Sequence, residues 1–123
     1  MKLLTHNLLK SNVKGAGTGF PLGIEVEQKE EVECEFDADF IRKMLGRLDW
    51  AALRKGAQAV VPDVRLPEAL TPELKADEDF LRAVHHVLLE VEVVEGHLVC
   101  PDTGRRFRIA KGIPNMLLRS DEV

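Results

Sequence analysis

The sequence contains no tyrosine, one tryptophan and five phenylalanines, so aromatics make up 5% of its 123 residues. Hydrophobic content is an ordinary 45%, so the core has to be built mostly from Leu, Val and Ile. Thiols occur only at Cys34 and Cys100. Two cysteines are too few for a disulfide scaffold or for a zinc site made of cysteine alone. There is no HExxH spacing and no nucleophile beside a base, so the sequence carries no catalytic constellation. No apolar run approaches the ~20 residues needed to cross a bilayer, and no charged-then-apolar leader opens the chain. The expectation is a soluble intracellular protein with reduced thiols and no membrane partner. Basic excess is also missing. The formal charge is −4, which argues against a chain that holds nucleic acid unaided, because that requires clustered Lys and Arg.

What is present is a charged chain (31% Asp, Glu, Lys and Arg) with patterned ends. The last third, Glu90 to Leu118, places short β-branched and aromatic runs between turn residues: Val91–Val94 before Glu95-Gly96, Leu98–Cys100 before Pro101–Gly104, and Arg105–Ile109 before Gly112-Ile113-Pro114. That pattern predicts a small antiparallel meander of three or four strands. Near the other end, Ile24, Val26, Val32, Cys34 and Phe36 share one parity and a row of Glu shares the other. This predicts two strands with one buried face and a hairpin turn at Gln28–Glu30. Between these ends the period changes to helical. Asp37, Asp49 and Asp77 each stand where an N-cap is wanted, ahead of apolar residues at i, i+3 and i+4. Thr71-Pro72-Glu73 reads as a short helical turn. Met1–Lys10 fits two helical turns or a short strand. Val13–Gly23 is a glycine-rich loop.

The layout is therefore α+β: an antiparallel β-sheet built from both termini, with an inserted three-helix segment. The expected division is 1–36 with 91–123 as a discontinuous β-unit, and 37–90 as an inserted helical unit. Neither strand-rich end makes an adequate sheet by itself, so the two must pair.

Each candidate site has a bland reading beside a functional one. Gly15–Gly19 is a phosphate cradle or a plain loop, and no Gly-Lys-Ser/Thr follows it. His85-His86 point ~100° apart on a helix, which does not suit one metal ion. Cys34 and Cys100 are buried free thiols, a disulfide, or part of a metal site with a histidine. Arg105, Arg106, Arg108 and Lys111 are a solvated strand face or a contact to RNA held mainly by a partner. Apolar residues at both termini, Leu3-Leu4 and Ile113–Leu118, are either core or an exposed patch awaiting a partner.

The opening Met1–Leu9 (MKLLTHNLL), Phe20-Pro21-Leu22, Asp49-Trp50, His85–Glu92 (HHVLLEVE), Glu95-Gly96 and Gly112–Leu118 (GIPNMLL) are similar to the Trm-one-twelve family. That family is the small multifunctional activating subunit of RNA and release-factor methyltransferases, and the likeness spans nearly the whole chain. It implies a zinc-ribbon-like β-domain carrying a helical insert. It also implies a non-enzyme that forms heterodimers with several S-adenosylmethionine-dependent catalytic subunits. It thereby acts on tRNA, rRNA and the translation release factor, in cytoplasm and nucleus, and binds no cofactor itself. A stand-alone nucleic-acid module derived from a zinc ribbon is the alternative.

On this resemblance the partner contacts are expected among Leu4, Thr5, Asn7, Leu8, Ile113, Pro114, Asn115, Met116 and Leu117, with Arg106 and Arg108 as RNA contacts. Met116→Asp is then expected to abolish partner binding without unfolding the chain. Some relatives hold zinc with four cysteines. This chain has Ser11, Ala16, Cys100 and Thr103 at the matching places, and one thiolate cannot build a tetrahedral site, so zinc is not expected.

Overall fold

The computed structural model describes residues 1–123. The elements are α1 (Leu3–Leu8), β1 (Gly23–Glu31), α2 (Ala38–Leu45), α3 (Trp50–Val60), α4 (Pro72–Lys75), α5 (Glu78–Leu89), β2 (Val91–Val99), β3 (Arg106–Ala110) and β4 (Ile113–Pro114), closed by a 3₁₀ turn at Ser120–Glu122. The four strands form one antiparallel sheet in the order β1-β2-β3-β4. The N-terminal part supplies β1 and the C-terminal part the other three, so the sheet is assembled from both ends.

The helices begin where their caps were read. Asp37 accepts from the Phe40 N–H, Asp49 from Ala52, Thr71 from Leu74, and Asp77 from both Asp79 and Phe80. Each cap satisfies donors that a helix leaves unpaired at its start. Between β1 and β2 lie three full helices and the one-turn α4.

Two expected turns are strand instead. Gln28–Glu30 does not reverse the chain, and β1 runs through it against β2 with register slips at Val26/Gln28 and Gln28/Lys29. The tripeptide Gln-Lys-Glu lacks the Gly, Asn or Asp that a tight hairpin requires, and a bulge absorbs the irregularity. Val32 to Phe36 continues extended outside the sheet. The Val32 N–H donates to the Glu90 carbonyl at 2.8 Å, and Phe36 meets the His85 ring edge-on at 5.4 Å. Glu95-Gly96 likewise does not break β2. A Cβ at Gly96 would collide with the Glu25 carbonyl, so the glycine is there for close strand approach.

The turns at Pro101–Gly104 and Lys111-Gly112 are real. Lys111 (φ 53°) and Gly112 (φ 78°) both lie in the left-handed region, as a two-residue hairpin demands.

One apolar cluster of 21 buried residues runs through both parts of the chain. Leu3 on α1, Ile41 on α2, Leu53 on α3, Leu81 and Leu88 on α5, Leu98 on β2 and Phe107 and Ile109 on β3 are all at most 1% exposed. Its substance is aliphatic, as the scarcity of aromatics required.

Candidate functional site

The two ends of the chain meet beside β2. The Met1 carbonyl accepts from the Val93 N–H at 2.8 Å, and the Met1 nitrogen donates to the Gly112 carbonyl at 2.7 Å. α1 starts from this anchor and packs against α3 and α5. Inward go Leu3 and His6; the His6 Nε2–H donates to the Leu22 carbonyl at 2.7 Å. Outward go Thr5 and Leu8. Leu4 is half-buried on the core.

After β4 the chain stays extended to Leu118, and exposure alternates. Ile113, Asn115 and Leu117 face solvent, while Pro114, Met116 and Leu118 face inward. Leu8 is 74% exposed, Ile113 70% and Leu117 80%. The Asn115 N–H donates to the Arg108 carbonyl at 2.9 Å, and the Leu117 N–H to its own neighbour, the Asn115 Oδ1, at 3.0 Å. Residues 116–118 make no backbone–backbone hydrogen bond. The tails thus combine exposed apolar side chains with a short segment, 116–118, that no neighbouring strand pairs.

Not every expected contact residue is on this surface. Asn7 is buried, and its carboxamide forms a reciprocal pair with the Asp49 backbone, donating to the carbonyl and accepting from the N–H at 3.0 Å each. It hangs α1 on the start of α3. Met116 is half-covered and packs on the core, so Met116→Asp would disturb folding as well as binding. The alternation at 113–118 carried the signal for this, since it puts Met116 and Leu117 on opposite sides.

Arg106 and Arg108 are exposed on the outer sheet face, but each already has a carboxylate. Arg106 bonds Glu25 Oε1 at 2.6 and 2.8 Å, and Arg108 bonds Glu27 at 2.6 Å and Glu95 at 2.8 Å. The row of Glu on β1 and the row of Arg on β3 lie across β2 from each other, a cross-strand ladder that single-strand reading does not reveal.

At the opposite end of the sheet lies the knuckle. Cys100 is 1% exposed and, like Cys34, is a free thiol. Burial pushes its pKa up, but hydrogen bonds from the Ser11 and Thr103 hydroxyls and the Thr103 and Asp102 amides together bring it below the ordinary value. Ser11, Cys100 and Thr103 are therefore brought together. Zinc does not fit them: Ala16 has no ligating atom, two donors are neutral hydroxyls, and nowhere do three His, Cys, Asp or Glu side chains converge as a metal site. The loop is held by an organic anion instead. Asp102 Oδ2 accepts from the Gly17 and Gly19 amides, each at 2.9 Å. The backbone donors that would cradle a phosphate are occupied by this carboxylate.

Arg105 pairs with Glu122 beside the knuckle, and this guanidinium holds the Glu122 carboxyl down at about 2. The His85 Nε2–H donates to the Cys34 carbonyl (2.8 Å) and His86 contacts Glu90 (3.2 Å), so the histidine pair is a helix-packing feature.

These features define a class: a small α+β protein with a four-stranded antiparallel sheet, helices packed on one face of it, and exposed apolar side chains in both tails. The comparisons are specific. The Trm112p-like protein family matches residues 2–112, and the chain belongs to that family. It is 51% identical to the multifunctional methyltransferase subunit TRM112 homolog A of Arabidopsis thaliana, over the whole of both chains. It is 48% identical to the TRM112-like subunit of Mus musculus, over 99% of this chain and 98% of that one. The fold is similar, at TM-score 0.62 and 20% identity over 95% of each, to a chain of the E. cuniculi Mtq2–Trm112 complex responsible for methylation of the eRF1 translation termination factor.

Proposed function

We propose that the chain is a non-catalytic activating and stabilising subunit of S-adenosylmethionine-dependent methyltransferases. Its catalytic partners act on tRNA, rRNA and the translation release factor. The observation that carries this is the exposure of Leu8, Ile113 and Leu117 (74%, 70% and 80%), together with a 116–118 segment that pairs with no other strand. Support comes from relatives that are themselves methyltransferase subunits and from the E. cuniculi chain seen in complex with Mtq2.

The physical logic is complementation. Backbone pairing along a strand margin tolerates different partner sequences, so one small chain can serve several catalytic subunits. Fully burying a leucine or isoleucine is worth about 1.5–3 kcal/mol, so three contribute roughly 6 kcal/mol before association costs. Domains are stable by only about 5–15 kcal/mol, so cover of this size decides whether a partner stays folded.

In this reading Thr5, Leu8, Ile113, Asn115 and Leu117 make contact, Leu4, Pro114 and Met116 form the floor, and Asn7 supports them from within. The knuckle and sheet are a zinc-ribbon-like unit that has exchanged metal for hydrogen bonds, with 37–90 as its insert. Cytoplasm and nucleus are where the chain would work, and cell fractionation checks this.

The test is Leu117→Asp. A carboxylate buried in an apolar contact should weaken binding of a release-factor methyltransferase catalytic chain by more than about 100-fold. The Tm of the free chain should stay within about 2 °C, because Leu117 is solvent-facing. Undiminished binding would place the interface elsewhere. Met116→Asp should lower both.

A further inference from the structure

Every arginine outside the stretch 47–65 is paired with a carboxylate: Arg42, Arg82, Arg105, Arg106, Arg108 and Arg119. Arg47, Arg54 and Arg65 are not. The same stretch adds Lys55 and holds only two carboxylates, Asp49 and Asp63, of which Asp49 caps α3 at the Ala52 N–H. α3 itself contains no acidic residue. A chain with a formal charge of −4 thus gathers its unopposed guanidinium groups in one place.

Two of them, Arg54 and Arg65, line one cleft. α3 lends Arg54, Ala57 and Gln58, the loop after it lends Val64, Arg65 and Leu66, and the cavity between them measures about 330 Å³. That is the small end of the ~300–1,000 Å³ found for ligand sites. Its outer wall is tied down. The Trp50 Nε1–H donates to the Pro67 carbonyl at 2.9 Å, the Val61 N–H to Ala57 at 2.7 Å and the Val64 N–H to Val61 at 3.0 Å. Cations gather near the negative end of a helix for structural reasons alone. Here the Lys29 ammonium already donates to the Val60 carbonyl at that end, so α3 has no need of Arg54 or Arg65. Arg54 is half-buried and has lost part of its hydration with no anion in return.

We propose that this cleft is a phosphate-binding site, and that it takes a backbone phosphate of the RNA on which a catalytic partner acts. Two guanidinium forks match the paired oxygens of a phosphodiester. The Gln58 carboxamide donates to a further oxygen and accepts from a hydroxyl, and ribose places a hydroxyl beside each phosphate. An isolated carboxylate would answer only one of the two arginines, whereas a polyanion also satisfies neighbouring Lys55 and Arg47. The phosphate site stands on the cleft alone; its assignment to RNA rests on the function proposed above.

The first test is a nitrogen–proton NMR titration of the whole chain with the dinucleotide uridylyl-uridine, which carries one phosphodiester. Side-chain signals of Arg54, Gln58 and Arg65 should shift along one saturating curve, with a Kd of about 1–10 mM. The variant with Arg54→Gln and Arg65→Gln should lose that curve while its Tm stays within about 2 °C, since neither arginine is paired in the fold. Shifts that do not saturate, or equal shifts with sodium acetate at matched ionic strength, would overturn the phosphate site.

The second test uses heterodimers. With a tRNA methyltransferase catalytic chain, the same double variant should raise the KM for tRNA about 10-fold, leave kcat within about 2-fold, and lower the slope of log KM against log salt by about 1–2. With a release-factor methyltransferase catalytic chain its kinetics should be unchanged. An unaltered KM for tRNA, or an equal loss with the protein substrate, would overturn the assignment to RNA. If the unsubstituted chain forms no heterodimer, the function proposed above falls, and the cleft is judged by the dinucleotide titration.

Discussion

Single residues in this chain often do a different job from the one their type suggests. His6 is the clearest case. It is 1% exposed, its Nε2–H is used by Leu22, and its Nδ1 has no partner. Burial lowers its pKa from 6.5, and the Leu22 carbonyl opposes this only in part. A histidine whose folded-state pKa is depressed contributes stability that is present above pH 6.5 and is lost as the pH falls through the folded value. Urea midpoints of the free chain should therefore contain a component that is constant above pH 6.5 and declines as the pH falls below it. In His6→Phe that part of the decline should vanish, although the variant starts lower because Leu22 loses its donor. An identical decline in the variant would show that another group is responsible. Sequence did not disclose this role, since a histidine on a short apolar helix is equally consistent with ligand, base or core.

At the scale of elements, the cap residues and the alternating runs were the legible part. Asp37, Asp49, Thr71 and Asp77 start the helices they were read to start, because capping is local chemistry. What failed was Gln28–Glu30 and Glu95-Gly96, where a break in pattern was read as a turn. There the strand pairing itself decided the outcome: β1 slips register and Gly96 makes room for it. Pairing is non-local, so no window of sequence contains it. The knuckle shows the same limit. The loss of ligands at Ser11, Ala16 and Thr103 was visible, but not that Asp102 would reach back 85 and 83 residues to Gly17 and Gly19. Asp102→Ala should free two amides and cost about 1 kcal/mol, read as faster hydrogen exchange at Gly17 and Gly19. Asp102→Asn, which keeps an acceptor, should recover part of the protection. Added zinc should change neither.

For the whole molecule, the sheet has one face in the core and one laced by ion pairs. Glu25, Glu27 and Glu95 neutralise Arg106 and Arg108, so the basic strip seen in sequence is not a bare cationic surface. Exposed pairs of this kind are worth little to stability. If RNA nonetheless displaces the glutamates, Arg106→Glu with Arg108→Glu should slow methylation of tRNA or rRNA several-fold and spare methylation of a protein substrate. Equal loss with both substrates, or no loss with either, would remove the RNA role from the sheet.

The Asn7–Asp49 pair bears on where this chain tolerates a change of length. Because α1 hangs from the first residue of the α3 cap, the linker between α2 and α3 acts as a fixed strut. One residue added at Gly46-Arg47 should tilt α1 and carry Leu8 out of line. The exposed Glu68-Ala69 stretch spans no such joint, so a few glycines spliced in there should leave the tails where they are, as a side-by-side binding titration of the two insertions would reveal.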